Sequence, residues 1–186
     1  MPPSVAPPTL WSLGHSTRTL AEFVELCRTH EVRRVVDVRR YPVSRRHPHF
    51  AKETLALELP RAGIHYVHLV DLGGHREPRP DSRHTALVDG AFRGYADHME
   101  TPAFGAALAH LVTLARERRT ALMCAEARPD DCHRKLLCDR LVASGVEVLH
   151  ALDETHVEAH RPAREAVLEH GRLVYRAPQQ LGLFDG

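Results

Sequence analysis

The densest group of reactive side chains lies in residues 124–134. It contains two thiols, Cys124 and Cys132, which as thiolates are nucleophiles and metal ligands. Glu126 follows a predicted strand and could act as a general acid or base, with a pKa set by desolvation and nearby arginines. This combination predicts a catalytic site. The alternative is that Cys124 is a small core residue and Cys132 only caps a helix.

A helix is predicted to begin at the end of the same stretch. Asp131 fits an N-cap, which would place Cys132, His133 and Arg134 in the first helical turn. Free backbone amides and the helix dipole favour an anion there, such as a thiolate or a phosphate. We therefore expect the chemistry to depend on Glu126 and on this helix start rather than on a thiol nucleophile. His133 is a further acid–base candidate, and Arg134 is expected to contact substrate.

Two other chemistries fit the spacing less well. A phosphatase-type loop would place cysteine and arginine six positions apart, whereas Cys124 and Arg128 are four apart. Zinc could bind Cys124, Cys132 and His133, but an adjacent Cys and His after a gap of seven residues is not a standard ligand spacing. We predict no cofactor and keep a divalent metal such as zinc as the alternative.

A second polar group follows the first predicted strand, in Gly14-His15-Ser16-Thr17-Arg18. Glycine and hydroxyl groups can cradle an anion, and His15 could move a proton. We expect His15 to be catalytic and Ser16 and Arg18 to contact substrate. The alternative is a turn without a function.

The segment 33–49 is strongly basic, with six arginines against one aspartate. Arginine forks match phosphate oxygens, and neighbouring aromatic rings offer surfaces for base stacking. The pattern favours phosphate or nucleic-acid contact over a solvated basic loop. The residues expected to contact substrate here are Asp37, Arg39, Arg40, Arg45 and Arg46.

Ionisable groups are also dense in residues 92–99. We expect Tyr95 to contact substrate or to complete an acid–base pair with Glu126. Hydrogen bonds within a turn would explain the same residues equally well.

The elements that must position these groups alternate between strand and helix, which predicts a three-layer α/β fold with a mainly parallel sheet and helices on both faces. Ligands bind beyond the carboxyl ends of such strands, where the polar groups fall. Thr19 and Glu22 have the spacing of a capping box at a helix start, and residues 173–175 form the last predicted strand. A long functional loop is expected at residues 71–89. We expect a flexible lead-in at 1–9, one domain at 10–176 and a tail at 177–186.

The tail contains an apolar motif that is hard to explain as core: Gln180, Leu181, Leu183 and Phe184. Exposed apolar residues at a chain end suit insertion into a groove on a partner. The motif resembles the pentapeptide by which bacterial replication and repair proteins dock on the DNA sliding clamp. Chance or packing on the chain's own surface is the alternative.

Composition sets the broad class. The chain has 186 residues, 43% hydrophobic, with a formal charge of +1, which is ordinary for a globular protein. No secretion signal or apolar membrane span is found, and four cysteines do not make a disulfide framework. We expect a cytoplasmic protein with reduced thiols and no membrane partner.

Several of these motifs, taken together, resemble the bacterial domain-of-unknown-function family 488. The likeness runs in order over residues 10–150, through Gly14-His15-Ser16, Asp37-Val38-Arg39, the run at 45–50, the run at 92–95, and the stretch with both cysteines. It implies a compact α/β domain with a polar pocket. It implies no particular reaction, so function must come from the site.

Our leading hypothesis is an enzyme acting on nucleic acid, with DNA under repair or modification as substrate and acid–base or thiol-assisted hydrolysis at a base or phosphodiester. The runner-up is a thiol or metal enzyme acting on an anionic small molecule. The third is a non-catalytic, clamp-associated nucleic-acid binder.

Overall fold

The computed structural model describes residues 7–177, which contain five α-helices and eight β-strands. In chain order the elements are β1 (Thr9–Gly14), α1 (Leu20–Thr29), β2 (Arg34–Asp37), α2 (Lys52–Arg61), β3 (His65–His68), α3 (Gly90–His98), α4 (Pro102–Glu117), β4 (Thr120–Cys124), α5 (Arg134–Ala143), β5 (Glu147–Ala151), β6 (Val157–Ala159), β7 (Ala166–Glu169) and β8 (Arg172–Tyr175).

Six strands form one sheet in the order β3-β2-β4-β1-β5-β6. All neighbouring pairs are parallel except β5 and β6. Strand β1 lies between β4 and β5, and its last residue, Gly14, pairs with Cys124. The two sequence segments with the strongest chemical signal therefore end side by side at one edge of the sheet.

Helices cover both faces of this sheet, because the apolar side chains form two separate clusters. One cluster contains Phe23 of α1 and Leu55 of α2. The other contains Tyr95 of α3, Leu111 of α4 and Leu136 of α5. The predicted three-layer α/β fold is confirmed.

Local sequence signals explain where the helices begin. Thr19 and Glu22 form the predicted capping box at the start of α1, and Thr101 caps α4 ahead of Pro102, which satisfies amides that lack helical partners. The polar segment at 92–99 was expected to be a turn, and this is wrong. Asp89 accepts hydrogen bonds from two amides and starts helix α3 there.

Three short strands near the C-terminal end differ in their sequence signal. The hairpin of β7 and β8 includes the predicted strand at 173–175, whereas β6 and β7 are largely exposed and carry no clear apolar alternation. The Tyr175 hydroxyl donates a 2.8 Å hydrogen bond to Asp139 of α5, which fastens the hairpin to the sheet domain.

Two sequence expectations lie outside the described residues: most of the lead-in and the clamp-like motif from Gln180 to Phe184. Within residues 7–177, no helix is both long and apolar enough to cross a bilayer.

Candidate active site

An open cleft of about 640 Å³ lies at the carboxyl ends of β1, β2 and β4. All five residues predicted to be catalytic line it: His15, Cys124, Glu126, Cys132 and His133. This is where parallel α/β sheets bind their ligands. The sheet topology thus brings together groups that are far apart in the sequence.

Gly14 sets how closely the first and fourth strands meet. A Cβ atom on Gly14 would lie 1.9 Å from the carbonyl oxygen of Glu126, so no other residue fits without moving that backbone. The amide of His15 donates to the carbonyl of Cys124 at 3.0 Å, and the amide of Ser16 donates to Ala125 at 2.8 Å. The chain after Cys124 is therefore held against the first strand's end.

Cys124 lies at the floor of the cleft and is stabilised as a thiolate. A hydrogen bond from the thiol of Cys132 lowers the pKa of Cys124 to about 7, against the opposing effect of burial. The positive charge of Arg134 and the backbone amides of Ala125 and Glu126 act in the same direction. The same thiol–thiolate bond, together with burial, raises the pKa of Cys132. The two thiols therefore differ, with the pKa of Cys124 lowered and that of Cys132 raised.

Arg134 is the cation of this group, and its side chain is almost fully buried. Its Nε donates to the sulfur of Cys132 at 3.2 Å and one Nη donates to the hydroxyl of Ser12 at 3.1 Å. The other Nη donates to the carbonyls of Glu126 and Ala127. Within residues 7–177 it forms no salt bridge with a carboxylate. A buried guanidinium favours a nearby anion, and the Cys124 thiolate supplies one.

The predicted helix start at Cys132 is wrong. Residues Pro129–Asp131 form a separate 3-10 turn, and Cys132 has an extended backbone with φ −149°. Helix α5 begins at Arg134, and His133 occupies the N-cap position without a side-chain capping hydrogen bond. Pro129 at the first position of this turn fixes the backbone φ angle there. The turn therefore ends before Cys132, where the backbone is extended, and helix α5 begins two residues later. The thiolate form of Cys124 is therefore favoured by the thiol of Cys132 and the guanidinium of Arg134, and not by the first turn of a helix.

His15 is held as a neutral ring. Its Nδ1 donates to the carbonyl of Ser16 at 3.0 Å, its Nε2 lies 3.4 Å from Nη1 of Arg39, and it stacks on Phe50 at 4.1 Å between centroids. Burial, assisted by the charge of Arg39, lowers the pKa of His15 to about 4. Both nitrogens are occupied, so His15 positions Arg39 and shapes the cleft wall.

His133 is similarly held. Its Nε2 donates to the carbonyl of Val38 at 2.9 Å, and its ring packs edge-to-face on Tyr95 with centroids 5.0 Å apart. Burial lowers the pKa of His133, so the ring is neutral near pH 7. Glu126, by contrast, has an exposed side chain that lines the cleft.

Arg39 is fixed by a buried ion pair. Its guanidinium donates to Asp37 at 2.6 Å and to the carbonyl of Phe50 at 2.8 Å. The hydroxyl of Tyr66, which the sequence did not single out, donates to the same carboxylate at 2.8 Å. Asp37 therefore neutralises Arg39 and does not face a ligand. The pair fixes the cleft wall and leaves anion binding to other arginines.

The predicted substrate contacts divide into two groups. Four line the cleft: Ser16, Arg39, Arg40 and Arg46. The other five do not: Arg18, Asp37, Arg45, Tyr95 and Arg134.

Four members of the second group, all except Arg45, have visible structural roles. Arg18 donates to the carbonyls of Gly14 and Leu152, at 2.8 and 2.6 Å. Tyr95 is buried beneath the cleft and donates to the carbonyl of Leu72 at 2.9 Å. Arg45 is exposed. Tyr95 therefore supports His133 from below and cannot form an acid–base pair with Glu126 in this arrangement.

Three residues at the cleft were not among the predicted site residues, although two of them fall in segments that the sequence singled out. His47 and His75 line the cleft, and Ser12 receives Arg134 from beneath it. His75 follows two glycines and has φ +57°, a conformation that non-glycine residues rarely adopt. The glycine pair was the available signal for the cleft position of His75. Ser12 gave none, because it reads as an ordinary strand residue.

Cys124, Cys132 and His133 could also hold a metal, since their ligand atoms lie within 4.8 Å of one another. The bond from His133 Nε2 to Val38 leaves Nδ1 for coordination, and such outer bonds are usual for metal-binding histidines. The Arg134 guanidinium beside the sulfurs opposes a further cation. Zinc stays an untested prediction.

Comparison with known proteins gives a family and no reaction. One family model matches residues 19–141, and it is described as a domain of unknown function, DUF488. No curated protein and no solved structure matches the chain. The matched region includes both cysteines of the cleft and the basic segment, but it begins after β1.

Proposed function

The chain belongs to the DUF488 family, whose description names no reaction, and we propose from its site that it is an enzyme acting on nucleic acid through the thiolate of Cys124. One observation carries the proposal. Cys124 lines the cleft together with Arg40 and Arg46, and the buried Arg134 beneath it has no carboxylate partner among residues 7–177.

The nucleophile is supported by its protonation at neutral pH. With its pKa lowered to about 7, Cys124 is a thiolate at neutral pH to a greater extent than an ordinary cysteine. The thiolate is the nucleophilic form. We therefore assign the nucleophile to Cys124 in this proposal, and we assign to Glu126 protonation of a leaving group or activation of water at the exposed side of the cleft.

The substrate class is supported by two arginines of the cleft, by an exposed aromatic ring and by the size of the cleft. Arg40 and Arg46 line it without a carboxylate partner in the described part of the chain, and the ring of Tyr41 is exposed beside them. Arginines bind phosphates and aromatic rings stack on bases. A volume of about 640 Å³ suits a small ligand, such as one nucleotide turned out of its strand.

The proposed reaction is hydrolysis in two stages. The sulfur of Cys124 forms a bond to a carbon or phosphorus atom of the substrate while the bond to the leaving group breaks. Glu126 supplies the proton that the leaving group takes up. Water, deprotonated by Glu126, then releases the product and returns Cys124 to its thiolate form. A role in DNA repair, with docking on a sliding clamp, rests on the tail motif alone.

A screen of modified and damaged oligonucleotides tests this function directly. Cys124→Ser should reduce turnover to near background, and Glu126→Gln should slow it without removing covalent capture of substrate. Cys27→Ser is the matched control, because Cys27 is buried in α1, away from the cleft. Full turnover by Cys124→Ser would refute the role of the thiolate.

A metal-dependent reaction on an anionic small molecule is the second candidate, favoured by the three clustered ligand atoms. Metal analysis of untagged protein distinguishes the two. Stoichiometric zinc that disappears in Cys132→Ala would favour this candidate over a free thiolate.

A further inference from the structure

Cys124 and Cys132 both line the cleft, and their sulfur atoms lie within 4.8 Å of each other. We propose that this pair is a reversible oxidation site, at which a hydroperoxide oxidises Cys124 and Cys132 resolves the product to an intramolecular disulfide. The proposal concerns modification of the protein itself and requires no nucleic-acid substrate.

The backbone around the two cysteines allows the sulfurs to approach. Their sulfur atoms are within 4.8 Å, and a disulfide needs about 2.05 Å. They flank the segment 125–131, in which residues 126–128 are exposed and the only regular structure is the short turn Pro129–Asp131. A surface segment of this kind can shift by the distance required more easily than a packed helix or strand.

Access separates these two cysteines from the others. Cys27 and Cys138 are completely buried and line no part of the cleft, whereas Cys124 and Cys132 border the open space. A peroxide is small enough to enter a cleft of about 640 Å³. The guanidinium of Arg134 lies beside the pair, and cationic surroundings with a neighbouring thiol mark cysteines that oxidise reversibly.

The chemistry balances with hydrogen peroxide as the oxidant. The Cys124 sulfur attacks one peroxide oxygen, the O–O bond breaks, and the departing hydroxide takes a proton to become water. Cys124 is then a sulfenic acid, oxidised by two electrons. The Cys132 sulfur attacks the Cys124 sulfur, the S–S bond forms, and the S–OH bond breaks. Hydroxide leaves with the proton of Cys132 as the second water.

Oxidation would remove both partners of the thiol–thiolate bond at once. The disulfide has neither the anionic sulfur nor the donor, so Arg134 loses the negative charge that it faces. The disulfide would also protect Cys124 from further oxidation to the sulfinic acid, a step that is irreversible in most proteins.

The test is oxidation of the reduced full-length protein with hydrogen peroxide, followed by mass spectrometry. Trypsin leaves both cysteines in one peptide, because Arg128 precedes Pro129. Cleavage after Glu126 separates them, so the disulfide appears as two linked peptides that a dithiol reductant releases. We expect Cys124 to react at least about 10-fold faster than Cys27 or Cys138.

Matched variants make the outcome decisive. Cys132→Ser should abolish the link and leave Cys124 as a sulfenic acid that dimedone traps. Cys124→Ser should abolish the link, and Cys27→Ser should leave it unchanged. Sulfinic acid at Cys124 without a link in the wild type, or a link through Cys27 or Cys138, would overturn the proposal. Because the readout is mass, its failure is distinct from failure to find a nucleic-acid substrate.

Discussion

Arg134, at the start of helix α5, reaches beneath the cleft and donates a 3.1 Å hydrogen bond to the hydroxyl of Ser12, in the middle of β1. The same guanidinium contacts the sulfur of Cys132 and the carbonyl of Glu126. One side chain therefore connects the central strand, the donor thiol and the backbone beside the nucleophile.

Replacing Arg134 by Gln should weaken both the fold and the nucleophile. The variant loses several charge-assisted hydrogen bonds from a buried position, for which we expect a loss of about 3 kcal/mol in unfolding free energy. The pKa of Cys124 should rise, because a positive charge that stabilises its thiolate is gone. Chemical denaturation and thiol alkylation measure the two effects. Arg140→Gln, at a partly exposed position of the same helix, is the control.

The alkylation rate of Cys124 by iodoacetamide should depend on pH with a midpoint near 7. Its folded pKa is lowered, so the reactive thiolate is present above that pH and is lost as pH falls below it. Cys132→Ala removes the main donor and should move the midpoint upward, toward that of an ordinary cysteine. An unchanged midpoint in this variant would show that the thiol–thiolate bond does not set the pKa.

Gly14→Ala should disturb the cleft, whereas Gly105→Ala in α4 should not. The new Cβ would meet the carbonyl of Glu126 at 1.9 Å, and relieving this overlap should cost about 1–3 kcal/mol. Gly105→Ala is the matched control, since the site is open and lies within α4. There we expect a gain of about 0.5–1 kcal/mol. Thermal unfolding compares the two variants, and equal melting temperatures would contradict the close approach.

Arg46→Ala should weaken binding of single-stranded nucleic acid in a salt-dependent manner. Loss of one phosphate contact should reduce the slope of log affinity against log salt by about 0.7. Arg116→Ala, at an exposed position of α4 away from the cleft, should leave the slope unchanged. Fluorescence anisotropy over a salt series measures both. Equal slopes in the two variants would remove Arg46 from the binding surface.

Acid should destabilise the protein through buried histidines. Burial, with the charge of His160 as the next cause, lowers the pKa of His150 to about 4. The unfolded chain therefore binds more protons than the folded chain between about pH 6.5 and 4, and the stability is lost as pH falls through that window. His150→Gln should show a shallower loss in unfolding free energy. The exposed His110→Gln should follow the wild type.

The parts of this molecule that were predictable from sequence are those set by local patterns. The capping box at Thr19 and the order of strands and helices led to the correct architecture. Parallel strand ends then placed His15 and Cys124 at one cleft. These inferences needed only periodicity, caps and the geometry of parallel sheets.

The roles of individual groups were not predictable, because they depend on contacts between distant residues. Arg39 pairs with Asp37 and Arg134 with Cys132, although all four might have faced a ligand. The hydrogen bond that makes Cys124 a thiolate depends on the path of the chain through the turn Pro129–Asp131. Sequence spacing does not specify such a path.

The central position of β1 bears on where this domain can be cut. The region that matches the family begins at residue 19, yet β1 lies between β4 and β5 and carries Gly14 against the Glu126 backbone. A fragment trimmed to the matched residues would expose the edge of β4, which is buried along its whole length, and would lose one wall of the cleft. Fragments for expression or transplantation should therefore keep Thr9–Gly14.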